Sequence, residues 1–257
     1  TPTPPPFFFL TMTPAYEILS CLVGSEMCIR DRTKPTQEQK LAIDAISSSL
    51  GTHQTFLLEG ITGSGKTEVY LQAIERAIAK NNGQALILVP EINLTPQNLQ
   101  RFKDRFGDCG ILHSSLPPKQ KLDEGIKCKN GVSRIVLGTR SSILAPFSNL
   151  SLIIVDEEHD TSYKQSEGLK YSARDLAVKR SKDLDIPLVL GSATPSLESI
   201  QNQKLGRYIL LSIKSRFGPA SLPKIEVLDM RKENQIDGLS HSCLLYTSPS
   251  PRDQRGW

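Results

Sequence analysis

The sequence predicts an α/β fold: a mostly parallel sheet with helices on both faces. Three observations predict it. Short apolar, β-prone runs alternate with longer stretches of helical apolar period through the middle of the chain. A glycine-rich string, Gly60-Ile61-Thr62-Gly63-Ser64-Gly65-Lys66-Thr67, lies between one such run and one such stretch. An acidic string, Asp156-Glu157-Glu158-His159, directly follows the apolar run Leu152-Ile153-Ile154-Val155.

The elements follow in order. A helix is expected over 36–49. Residues 54–59 (QTFLLE) read as a strand. The next helix, 66–81, carries Val69, Tyr70, Ala73, Ile74, Ala77 and Ile78 as one stripe. A strand at 85–89 precedes a helix at 95–106, which Thr95-Pro96 suits as an Ncap–N1 pair. A weaker strand at 110–113 leads to a helix at 117–129. Strands at 134–138 and 152–156, a helix at 172–183, a strand at 188–192, a helix at 196–204 and a strand at 207–213 complete the series. No internal repeat interrupts it, so a single lobe is expected over 33–223, and Lys224 to Asp229 would open a truncated second lobe at 224–240.

The glycine-rich string fits G-x-x-x-x-G-K-[ST], and its strand-to-helix setting is the one that motif needs. Gly60 opens it. Gly63 and Gly65 allow backbone angles and close approach that side chains forbid. Backbone N–H groups around Ser64 and the helix N-terminus then face an anion. Lys66 supplies a point charge to β- and γ-phosphates, and the Thr67 hydroxyl is a magnesium ligand. A plain Gly/Ser loop before a surface helix is the competing reading, and a P-loop alone does not name a reaction.

Asp156 falls at the carboxyl end of a strand, where open α/β sheets bind ligands. A carboxylate there holds the magnesium shell, and Glu157 is the candidate to orient an attacking water. A solvated acidic turn is the alternative. His159 by its chemistry alone is equally a structural hydrogen-bonding group.

Asp156-Glu157-Glu158-His159 together with Gly191-Ser192-Ala193-Thr194-Pro195 resembles motifs II and III of superfamily 2 helicases. Gly63 to Tyr70, Val89-Pro90-Glu91-Ile92 with Leu94-Thr95-Pro96-Gln97, Gly138-Thr139-Arg140-Ser141, and Asp156 to Asp160 with Ser162-Tyr163-Lys164-Gln165 narrow the resemblance. In this order they resemble the bacterial replication-restart helicase family PriA (primosomal protein N′), over about 33–238.

That resemblance implies a RecA-like P-loop NTPase lobe of an ATP-dependent DNA helicase with 3′-to-5′ polarity, acting in primosome assembly at stalled forks. It implies catalytic roles for Lys66, Asp156 and Glu157, with ATP and magnesium as cofactors. Gln39 falls where such helicases read adenine; an exposed helix-start residue is the other reading. His159, Ser192 and Thr194 would couple the ATP site to DNA movement, or be ordinary strand-end groups. Thr95, Gln97, Thr139, Arg140 and Ser141 would touch the phosphate backbone of single-stranded DNA, for which hydroxyls, an amide and a guanidinium are suited. Residues 161–175 match an aromatic-rich loop in which Tyr163 and Tyr171 would stack on bases beside Lys164 and Lys170. Leu169 stands where a tryptophan is common, and a plain surface loop remains the alternative. Forked DNA, primosome proteins and single-strand-binding protein would be partners in the bacterial cytoplasm.

The chain has 257 residues, 38% hydrophobic and 23% charged, with a net charge of +4. This mild basic excess fits a DNA partner without arguing for one. Five cysteines form no C-x-x-C pair, so no zinc site is expected here; zinc belongs to a missing part of the implied parent. Residues 1–32, with a proline-rich start, a Phe7-Phe8-Phe9 run and a poor fit to a signal peptide, and residues 241–257, with no clear period, resemble translated adapter sequence, with disordered tails as the alternative. They are excluded from the fold. No second lobe or arginine finger is recognisable. The chain is therefore expected to be the motor lobe of a helicase or, as it stands, a nucleotide- and single-stranded-DNA-binding module without turnover. A P-loop kinase is disfavoured by the DEEH and SAT strings.

Overall fold

The computed structural model describes residues 34–80, 82–91, 95–215, 235–236 and 239–240, without the side chains of residues 97, 98, 235, 236, 239 and 240. The two end segments, the run 224–229 and most of 224–240 lie outside the described residues. The chain divides into two units, Thr1–Phe217 and Gly218–Trp257. In the second, a short antiparallel pair joins Gln235–Ile236 to Leu239–Ser240.

The first unit runs α1 (Gln37–Ser48), β1 (Thr55–Gly60), α2 (Lys66–Ala79), β2 (Gln84–Leu88), α3 (Pro96–Phe106), β3 (Gly110–Leu112), α4 (Pro118–Lys129), β4 (Ile135–Gly138), β5 (Leu150–Val155), β6 (Lys164–Gln165), β7 (Tyr171–Ser172), α5 (Ala173–Asp183), β8 (Leu188–Ser192), α6 (Leu197–Lys204) and β9 (Ile209–Ile213). Seven strands form one sheet in the order β3-β4-β2-β5-β8-β1-β9. Every pairing in it is parallel. All seven expected strands and six expected helices are present. In the first unit, features outside the expected series include 3₁₀ turns over Arg140–Leu144 and Thr161–Tyr163 and the β6–β7 hairpin.

The two-residue period of the strands builds two cores. Phe56, Leu58, Ala85, Ile87, Leu152, Ile154 and Val189 face α1, α2 and α3. Leu57, Leu86, Leu88, Ile153, Val155, Leu188 and Leu190 face α4, α5 and the segment around Tyr163. Strands buried on both sides need continuous apolar runs, which is why QALIL and LSLIIV lack alternation.

Helix starts differ in a way that bears on function. Thr36, Ser172 and Ser196 cap α1, α5 and α6 with their side chains. The start of α2 has Gly65 at φ 83° and no side-chain cap. Its first amides are left for another acceptor. Among the described residues no helix is long and apolar enough to cross a membrane.

Candidate functional site

The carboxyl ends of β1, β5 and β8 sit side by side at the centre of the sheet and deliver the three motifs to one edge. A cleft of about 870 Å³ lies there, lined by residues 61–68, Leu71, Arg101, Asp104, Arg105, Asp156 and Glu157.

Gly63 and Gly65 have φ of 81° and 83°, the left-handed region that glycine adopts freely. A Cβ at Gly65 would lie 2.3 Å from Gln39 Nε2, so the loop passes too close to α1 for a side chain. Lys66 is 9% exposed, and its ammonium donates to Gly60 O at 2.8 Å. It also lies 3.8 Å from Glu157 Oε1. The buried Ser64 hydroxyl has no hydrogen-bond partner among the described residues. Uncapped amides, an ammonium and an orphan hydroxyl around one cleft suit a polyanion.

Gln39 is buried rather than exposed. Its carbonyl oxygen accepts from Thr36 N at 2.8 Å, and its amide donates to Ser64 O at 2.8 Å. It closes a capping box on α1 and braces the P-loop in one stroke. Thr36-Gln37-Glu38-Gln39 carries that signal in sequence as T-x-x-Q.

At the acid turn, Asp156 accepts a hydrogen bond from Tyr70 Oη through Oδ1 at 3.0 Å. Burial, then the neighbouring Glu157 charge, pushes the Asp156 carboxyl above its ordinary range. A divalent cation would favour its ionised form, and Thr67 with Asp156 gives the hydroxyl–carboxylate oxygen set that suits magnesium. Glu157 has φ 47°. A non-glycine residue there costs roughly 1–2 kcal/mol, and such strain gathers at working sites. Its other oxygen lies 3.6 Å from His159 Nδ1. His159 Nδ1 is 2.8 Å from Ser192 Oγ, which accepts from Thr194 N at 2.9 Å. Lys66, Glu157, His159, Ser192 and Thr194 thus form one continuous polar path.

Glu158 has no role in the motif reading. It is 2% exposed and surrounded by donors. Ser196 N reaches it at 2.7 Å, Ser199 Oγ at 2.9 Å, Ser196 Oγ at 3.0 Å and Arg174 Nη1 at 3.2 Å. It ties the acid turn to the starts of α5 and α6. The paired Ser196 and Ser199 at a helix start are the available signal.

The residues expected on DNA divide. Thr95, Ser141 and Lys164 are exposed, and Lys164 lies 4.0 Å from Glu198. The Gln97 side chain lies outside the described residues. Thr139 is 2% exposed, so its hydroxyl is not presented to a phosphate. Arg140 is half-buried and donates to Ser162 O and Lys164 O, both at 3.1 Å. Tyr163 corrects the expectation of base stacking. It is 2% exposed, and its hydroxyl sits 2.6 Å from Asp156 O and 3.0 Å from Leu88 O, beneath the acid turn. Tyr171 is half-buried against the second core. Leu169 is 75% exposed near the tip of the hairpin.

Residues 36–203 match the family model of the DEAD/DEAH box helicases. The chain belongs to that family. It is 48% identical over 208 residues to replication restart protein PriA of Bacillus subtilis (strain 168), covering 79% of this chain and 26% of that protein. To the protein of the same name from Haemophilus influenzae it is 46% identical over 215 residues, covering 83% of this chain and 29% of that protein. The resemblance to the PriA family expected from the motifs is therefore present, and the chain spans under a third of these relatives' length. Among solved structures, RecG bound to a three-way DNA junction matches with a TM-score of 0.54 at 24% identity, over 74% of this chain and 25% of that one. The DEAD-box helicase Mss116 bound to ssRNA and UDP-BeF matches with a TM-score of 0.51 at 20% identity, over 70% of this chain and 40% of that one. These likenesses bear out the expected RecA-like fold of a single lobe.

Proposed function

We propose that this lobe binds magnesium-ATP and serves as the ATP-binding half of the motor of a 3′-to-5′ DNA helicase in replication restart. The observation that carries the reading is the meeting of Lys66 and Glu157, 3.8 Å apart, below an uncapped helix N-terminus. Lys66 and the amides from Gly63 to Thr67 would take the β- and γ-phosphates. On nucleotide entry the Lys66 ammonium would exchange Gly60 O for phosphate oxygen. Glu157 would hold the attacking water by accepting its hydrogen bond. Thr67 and Asp156 would hold magnesium, which when bound neutralises charge developing on the phosphate oxygens. Gln39, fixed to Ser64 O, would keep the loop open to the nucleotide, and would read adenine only by exchanging Ser64 O or Thr36 N for the base.

Single-stranded DNA would cross the edge carrying Thr95, Ser141 and Lys164, with contacts to phosphate rather than to base edges. Arg140 would join them by exchanging a loop carbonyl for a phosphate. His159, Ser192 and Thr194 would carry the state of Glu157 towards that edge. The similarity to PriA supports forked DNA, primosome proteins and single-strand-binding protein as partners of the longer protein, and a bacterial cytoplasmic setting.

The test is nucleotide binding. Lys66→Ala removes a charge-assisted contact and should weaken binding of a fluorescent ATP analogue about 10–100-fold. Equal affinities in the two proteins would sink the assignment. DNA binding should be weak, on the order of 10⁻⁴ to 10⁻⁶ M, and fall with salt.

A further inference from the structure

Taking Asp156 as a magnesium ligand, as proposed above, we infer that Tyr70 is the residue that positions the metal carboxylate. Tyr70 lies on α2 three residues beyond Thr67, on the same helical face. It is 2% exposed, and its hydroxyl donates to Asp156 Oδ1 at 3.0 Å. Behind it stands Gly191, at the end of β8. A Cβ on Gly191 would fall 1.7 Å from Tyr70 Oη and 2.8 Å from its Cζ. Only glycine admits the phenol there, so the hydroxyl is pinned between the strand carrying Ser192 and the acid turn.

Asp156 is a short side chain beside the like charge of Glu157. Among the described residues Tyr70 is the side chain that hydrogen-bonds its carboxylate. Engaging Oδ1 fixes the rotation of the carboxylate in the cleft that Asp156 lines. The helix that carries the hydroxyl ligand, Thr67, thereby also sets the carboxylate ligand. The two oxygen donors keep a fixed spacing although they come from elements 89 residues apart in the chain (67 to 156). Tyr163 contributes on the other side by holding the Asp156 carbonyl at 2.6 Å, so the residue is fixed through both backbone and side chain.

Tyr70→Phe removes one oxygen and keeps the ring. Binding of a fluorescent ATP analogue is measured with magnesium and with EDTA, on the full chain, in Tyr70→Phe, Asp156→Ala and the double variant. The metal-free affinity of Tyr70→Phe should match the parent within about twofold, while its affinity with magnesium weakens about three- to tenfold. In the Asp156→Ala background the substitution should add nothing, since its route to the metal is gone. An unchanged magnesium effect in Tyr70→Phe would overturn the inference. So would equal losses with and without metal, or a full effect persisting beside Asp156→Ala. If the parent chain shows no magnesium-dependent binding, the functional reading itself fails, which is a distinct outcome.

Discussion

The acid turn has two sides, and they are built on opposite terms. Glu157 faces the cleft with incomplete satisfaction: its nitrogen neighbours stand at 3.8 and 3.6 Å, and its φ is 47°. Glu158, the next residue, points into the protein, where four donor groups lie within 3.2 Å. One carboxylate is left short of partners and can accept a new one. The other is saturated and can only hold what it has. Adjacent identical residues thus separate chemistry from architecture, because a turn after a parallel strand sends successive side chains to different sides.

The largest effect should come from the saturated side. Glu158→Ala takes from Arg174, itself mostly buried, its buried carboxylate partner and leaves it the more exposed Asp175 and Glu198. Breaking a buried pair outright costs about 3–5 kcal/mol, and these remaining partners bring the expected loss towards the lower end. Urea denaturation should record a loss of that order. A fully stable variant with impaired nucleotide binding would reverse the division between the two carboxylates.

Arg140→Ala comes next. It removes two donors from the backbone flanking Tyr163, at a half-buried site, so the expected loss is roughly 1–2 kcal/mol. If Arg140 also exchanges onto phosphate, the slope of log affinity for single-stranded DNA against log salt should fall by about 1. Lost stability with an unaltered slope would confine Arg140 to the interior.

The smallest effect belongs to the open side. Glu157→Gln breaks only loose, partly exposed ion pairs, worth about 0–1 kcal/mol. Its melting temperature should stay close to that of the parent. A large drop would mean that Glu157 is as structural as Glu158.

What the sequence makes legible follows the same division. Strands buried on both faces and helices of regular stripe are written in local pattern, so the major elements of the first unit can be read directly. The P-loop is legible because its chemistry runs through backbone angles that glycine and a strand–loop–helix context announce. Tyr163 is not. An aromatic residue in a loop reads the same whether it stacks on a base or hides beneath a turn, and its place is decided by Leu88 O and the Asp156 carbonyl, supplied by other elements. Thr139 fails likewise: at a strand end, inward and outward hydroxyls share one signature. Glu158 and Tyr70 escape local reading because their partners come from α5, α6 and the acid turn. Gln39 is half-legible: its place beside the P-loop can be anticipated, but its burial depends on a capping box that competes with the reading of an exposed helix start.

The left-handed backbone at Glu157 has a consequence for how this chain would drift under selection. Glycine takes that conformation without strain and asparagine nearly so. A screen rewarding only folded, heat-resistant protein would therefore favour losing the very carboxylate that faces the cleft. Stability and chemistry pull position 157 in opposite directions, and a library sorted for robustness should be checked there first for variants that are sound and inert.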